Sequence, residues 1–296
     1  MKVALQLHSV REALRYDPDT TLAAVAEMGF RYVELSTHDA ARDPGRWRGL
    51  SGREMRSLAE AHGVRFIGGQ VSNLSAANVD EVASFYAELG GDHVTIPIAY
   101  FPTRAALEEQ SRAFNLFGAA MQRRGLQLLY LNHYHEFQVV EGEQVLDGLL
   151  SRTDPTLIKL ALSPYWLMRG LIDPIQALRK YGSRVALIEQ ADFPLAEIDK
   201  LNMWEFWRHH PIAVNIRRDV PLKGGEIENI HPVQCDLFTE IGDGIMKLQE
   251  IVDEATAAGG VSYVTLRQDF SRRPLEFDSV RVSVQNYKRI QGVDWT

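Results

Sequence analysis

Two side chains able to carry protons near neutral pH stand two residues apart, at His133 and His135. On an extended strand both would point the same way, presenting a pair of imidazoles to a pocket as acid–base groups or metal ligands. His8, Glu34 and Gln70 fall at or near the ends of three apolar runs, where a polar group would face a pocket mouth. Tyr165, Trp166, Trp204 and Trp207 offer flat faces of the kind that pack against sugars, although such residues more often fill cores, and Trp166 is the preferred pocket wall. The single cysteine, Cys235, has no nearby activating motif, excludes an internal disulfide framework and fits a reducing compartment.

The elements that must position these groups recur around the chain. An Ala/Leu/Glu-rich amphipathic segment ends at glycine, and a short β-branched run follows. Gly29 precedes Tyr32–Leu35, Gly63 precedes Arg65–Ile67, and Gly90-Gly91 precede His93–Ile96. Gly125, Gly182 and Gly259-Gly260 do the same before Leu126–Tyr130, Val185–Ile188 and Tyr263–Leu266. A glycine just past a helix enters the left-handed region without a Cβ penalty, so each reads as a helix stop. Ser51 with Glu54 makes a capping box, and Thr103 and Thr20 can each cap a helix. Strands at 2–9 and 157–163 complete eight βα units, which predict a (β/α)8 TIM barrel formed as a single domain over 1–296. A doubly wound sheet is the alternative, but no GxGxxG follows the first strand. Residues 193–240, with Trp204, Trp207, His209, His210, Arg217, Arg218 and His231, form a long insertion after strand seven, read as a lid or oligomer contact or as packed decoration.

Composition narrows the partners. With 45% hydrophobic and 24% charged residues and a net charge of -7, the chain is that of a globular protein without the basic face that nucleic acid requires. Arg217-Arg218 and Arg272-Arg273 are too short to make a binding tract. No secretory leader or membrane-length apolar run is evident, so a cytoplasmic location is expected.

The order of these segments resembles the xylose-isomerase-like TIM-barrel superfamily, also called sugar phosphate isomerases/epimerases. The resemblance rests on Leu5–Arg11, on Met28-Gly29-Phe30 through Leu35, on Asn132-His133 with Glu136-Phe137, on Tyr165-Trp166 with Gly170 and Asp173-Pro174, and on Ile241–Gly244. It implies a divalent metal held by acidic and imidazole side chains at the ends of strands five to eight. Carried over, those ligand positions fall on Leu131, Ser163, Glu189 and Arg267, so the ordinary metal is not expected. Asp192 and Asp269 look retained behind them, and His8, Glu34 and Gln70 correspond to positions that touch substrate hydroxyls.

If the site is catalytic, Glu189 is the general base, tuned toward neutral pH by burial. Arg267 supplies the fixed positive charge, and His133 or His135 is the second proton carrier. Substrate contacts are expected from His8, Glu34, Gln70, His135, Trp166, Gln190, Asp192 and Asp269. The expected activity is metal-independent isomerisation or epimerisation of a carbohydrate or polyhydroxy ketone by proton transfer next to a carbonyl. Three alternatives stay open. Glu189 and Arg267 can be read as a structural ion pair, the chain as a non-catalytic carbohydrate- or partner-binding protein, or a metal as held by Glu189 with Glu136 or the histidines, including His209 and His210. A carbohydrate-like ligand and a homo-oligomer fit any of these.

Overall fold

The computed structural model describes residues 1–204, 237–271 and 273–296. Eight parallel strands close a barrel: β1 (Lys2–Gln6), β2 (Tyr32–Asp39), β3 (Arg65–Ser72), β4 (His93–Ile96), β5 (Gln127–Leu131), β6 (Ile158–Leu162), β7 (Val185–Gln190) and β8 (Tyr263–Leu266). Each pairs with its sequence neighbours, and β1 closes on β8 through Lys2–Leu5 against Tyr263–Leu266. Helices between the strands cover the outside. Buried strand residues such as Val3, Leu5, Val33 and Val264 meet helix residues such as Leu22, Val82 and Ile251 in one large apolar cluster. Ala4, Ile67, Leu129, Leu131, Ala161, Leu187 and Tyr263 form a smaller cluster inside the barrel. Both strand faces are therefore covered, which explains the unbroken apolar runs.

The helix ends mostly follow the glycine reading. Gly29, Gly63, Gly90, Gly125 and Gly259 all have positive φ. Gly182 differs: at φ -52 it stays right-handed and carries the chain into a 3-10 turn before β7. Ser51 and Glu54 make the expected capping box, and Thr103 caps helix Arg104–Gln122. Thr20 is not a cap. Asp17 holds that position and accepts from the Thr20 amide, because the chain turns one residue before Pro18.

The first strand is shorter than expected, ending at Gln6, and residues Leu7–Val10 form a 3-10 turn that carries His8. The pairing of β2 with β3 slips between Val33 and Glu34, a bulge where Gly68 and Gly69 face β2. A Cβ on Gly68 would lie 2.3 Å from the His93 carbonyl oxygen and 2.7 Å from its ring. Gly68→Ala should therefore cost about 3 kcal/mol, the upper end for overpacking, read as a lower urea midpoint with unchanged slope.

Of the insertion, residues 193–204 and 237–240 are described. Trp207, His209, His210, Arg217, Arg218, His231 and Cys235 lie outside the described residues, as does Arg272. Arg273 pairs with Glu240 at 3.0 Å. No helix among the described residues is long and apolar enough to cross a membrane.

Candidate active site

The C-terminal ends of β3, β7 and β8 bring three side chains together. β7 supplies Glu189, which is 2% exposed, and β8 ends at Leu266, so that Arg267 leaves the barrel rim beside it. Arg267 Nη1 donates to Glu189 Oε2 at 3.0 Å. Gln70 Nε2, from β3, donates to the same oxygen at 2.6 Å, while Gln70 Oε1 accepts from Arg267 Nη1 at 3.3 Å. The other edge of the guanidinium grips Asp269, with Nε to Oδ1 at 2.6 Å and Nη2 to Oδ2 at 3.2 Å. His8 Nε2 stands 3.9 Å from Asp269 Oδ1.

Burial pushes the Glu189 carboxyl up to about 7, with the nearby Glu34 and Asp269 adding to the effect and Arg267 opposing it. Asp269 goes the other way. Burial would raise it, but Arg267, with help from His8, holds it well below the usual carboxylate range. Burial lowers His8 to about 4, so at neutral pH it is an uncharged imidazole facing a carboxylate. The arrangement thus sets a buried carboxyl, pushed up to about 7, beside a permanent cation.

Leu131, Ser163, Glu189 and Arg267 stand at the ends of β5 to β8. A divalent ion there would need oxygen or imidazole donors. Leucine has none, serine offers a neutral hydroxyl, and Arg267 brings a cation with no lone pair to give. These four residues do not fit a divalent metal. Among the described residues, no group of three His, Cys, Asp or Glu side chains is placed to hold one elsewhere.

The rings of His133 and His135 lie 5.8 Å apart, but strand alternation does not place them there. β5 ends at Leu131, and His135 lies in a 3-10 turn, so they do not share an extended strand. His133 packs against Trp166 with ring centroids 4.9 Å apart. His135 is buried, with Nε2 2.9 Å from the Ala99 carbonyl and 3.3 Å from Glu136. That carboxylate also accepts from Tyr130 and from the His133 amide, so it is committed to the turn. Tyr165 is core, stacked on Phe238 at 4.4 Å. Trp204 donates from its indole to the Gly170 carbonyl at 3.0 Å.

Three expected substrate contacts are placed differently. Glu34 is enclosed in the barrel, accepting from His93 at 3.0 Å and Thr95 at 3.4 Å. Gln190 is fully buried, and its amide donates to the Ala191 carbonyl. Asp192 is fully buried too, and accepts amide N–H bonds from Phe193, Gly242, Gly244 and Met246. Its oxygens organise the turn into helix Leu248–Ala258, and a Cβ on Gly244 would lie 2.1 Å from one of them. Sequence reading missed His93 and Asn132; the latter ties β5 to β6 by accepting the Ser163 amide at 2.9 Å. The Gly68-Gly69 doublet was the available signal for His93, since glycines inside a strand mark close approach by another group.

No family model matches the chain. It is similar to an inosose dehydratase of Geobacillus kaustophilus (strain HTA426), 26% identical over 204 residues, covering 60% of this chain and 62% of the relative. The matched part thus spans about three-fifths of that relative's length. A sugar phosphate isomerase/epimerase from Parabacteroides distasonis ATCC 8503 superposes with a TM-score of 0.76 at 17% identity, covering 99% of this chain and 95% of the other. A xylose isomerase domain protein from Alicyclobacillus acidocaldarius gives 0.67 at 12% identity, covering 98% and 97%. The chain shares the TIM-barrel fold of these proteins. Another barrel of this kind, the IolI protein with a bound zinc atom, gives a TM-score of 0.66 at 12% identity, covering 98% of this chain and 100% of the other. In the present barrel, by contrast, the strand ends carry the leucine, serine and arginine described above.

Proposed function

We propose that this barrel acts on a polyhydroxy ketone by moving a proton next to the carbonyl, without a metal. The observation that carries the reading is the shared hydrogen bonding of Glu189 Oε2 by Arg267 and Gln70, in a buried mouth where a carboxyl can exchange a proton near neutral pH. Glu189 takes the proton from carbon, and the electron pair moves onto the carbonyl oxygen. Arg267 stabilises that oxygen. Its Nη2 has a hydrogen with no partner among the described residues, and this is the donor left for the substrate.

Two outcomes share this first step. Returning a proton to carbon gives isomerisation or epimerisation; losing the neighbouring hydroxyl as water gives dehydration. The names of the similar proteins, an inosose dehydratase and a sugar phosphate isomerase/epimerase, span both. His133 is the better second proton carrier, because His135 is tied to the Ala99 carbonyl. His8 and Trp166 complete the substrate walls.

A second reading is favoured by the other bonds of Arg267, which already engage Asp269, Glu189 and Gln70. On this reading the barrel binds a carbohydrate without turning it over. Chelator-treated protein incubated in D2O with ketocyclitols and ketohexoses separates the two. Deuterium entering carbon next to the carbonyl, at a rate unchanged by added Mn, Mg or Zn, supports proton transfer. Ligand binding without exchange supports the binding protein, and exchange that depends on added metal overturns the metal-free reading.

A further inference from the structure

Two polar atoms deep in the barrel have no hydrogen-bond partner among the described residues: Nε2 of Gln6 and Oε2 of Glu34. They lie on neighbouring strands, since β1 and β2 pair with Gln6 opposite Glu34. Both side chains face inward, two residues beyond Ala4 and Tyr32, which line the barrel interior. Ser36 Oγ, a further two residues along β2, is a third such buried atom.

The hydrogen-bonding sense of each group is fixed by its other arm. Gln6 Oε1 accepts the His8 amide at 2.6 Å, which leaves Nε2 as a donor. Glu34 Oε1 accepts from His93 and Thr95, which leaves Oε2 as an acceptor. A donor and an acceptor thus stand side by side without bonding one another. Leaving either unmade in the interior is costly. One molecule that accepts from Gln6 and donates to Glu34 satisfies both, and the enclosure selects water: Gln6 and Thr95 are fully buried, and Glu34 is 1% exposed.

We propose that Gln6 and Glu34 hold a single buried water molecule inside the barrel. The water joins two halves of the molecule's polar interior. On one side Gln6 supports the turn that presents His8 to Asp269; on the other Glu34 anchors His93, whose ring occupies the space left by Gly68.

A high-resolution crystal structure of the full chain tests this, without ligand and after soaking with myo-inositol. The expected result is a fully occupied water at about 2.6–3.2 Å from both Gln6 Nε2 and Glu34 Oε2 in both crystals. A direct Gln6–Glu34 hydrogen bond overturns the proposal. So does a peak that is replaced by a hydroxyl of the soaked polyol, which would make the position part of the substrate site. In solution, oxygen-17 relaxation dispersion should count one fewer long-lived water in Gln6→Met than in the unaltered protein. An unchanged count in folded Gln6→Met also overturns it. The crystal measurement needs no variant, so a failure of Gln6→Met to fold leaves the proposal open to refutation.

Discussion

Glu189→Gln should abolish proton transfer, lowering kcat by about 10²- to 10⁴-fold while leaving ligand affinity within a few-fold. The side-chain carbonyl oxygen of glutamine can still accept from Arg267 Nη1 and Gln70 Nε2, as Glu189 Oε2 does at 3.0 and 2.6 Å, so the walls of the site are retained. What is lost is the ability to carry a proton. In the unaltered protein, turnover should rise with pH through about 7 as the proposed base ionises. Stability should move in the opposite sense. The folded state holds the Glu189 proton up to about 7, whereas the unfolded chain releases it near the ordinary value of 4.5. This stabilisation is fully present below the unfolded value and is lost as pH rises through the folded one. The shift corresponds to on the order of 3 kcal/mol. Thermal melts of both proteins between pH 4.5 and 8 check the sign: Glu189→Gln should become relatively more stable toward pH 8. A parallel pH dependence in the two would mean that Glu189 does not hold the proton, and full turnover in Glu189→Gln would remove it as the base.

The barrel was legible in the sequence because its signals are local. A glycine with positive φ after a helix, such as Gly90, and an apolar run such as Leu126–Tyr130 report only on their immediate neighbours, and the closed sheet follows from their repetition. The facing of Glu189 and Arg267 was also within reach, since adjacent strands of a sequentially ordered barrel put their ends side by side. The contacts that give Glu189 its character were not. Gln70 reaches it across 119 residues of sequence, and nothing around Gln70 marks that partner. Asp192 shows the converse. Its place after β7 suggested a role toward substrate, but the turn at Gly242–Met246 folds back and uses both oxygens. The paired histidines come together by another route than the one their spacing suggested, since β5 stops at Leu131 and strand alternation cannot be extended past that point, yet their rings lie 5.8 Å apart.

The second large effect is expected at Arg267. Arg267→Met leaves Asp269 and Glu189 enclosed without the cation that bonds both, and breaking a buried pair from one side costs about 3–5 kcal/mol. Against a typical domain stability of about 5–15 kcal/mol, that is enough to lower the melting temperature plainly. The loss should be greater at pH 8 than at pH 5. In acid, Glu189 can take up a proton and shed its charge, whereas Asp269 is left to carry most of the penalty. Turnover should fall by about 10²- to 10³-fold for want of the donor that meets the developing oxyanion. Arg267→Lys separates this role from simple charge balance. An ammonium can neutralise one carboxylate but cannot span Asp269 with two parallel bonds and reach Glu189 and Gln70 with a third nitrogen. If the guanidinium supplies the charge that stabilises the developing oxyanion, Arg267→Lys should recover much of the stability and little of the turnover. Recovery of both would reduce the residue to a counter-ion. Loss of stability with turnover intact would place the chemistry elsewhere in the barrel mouth.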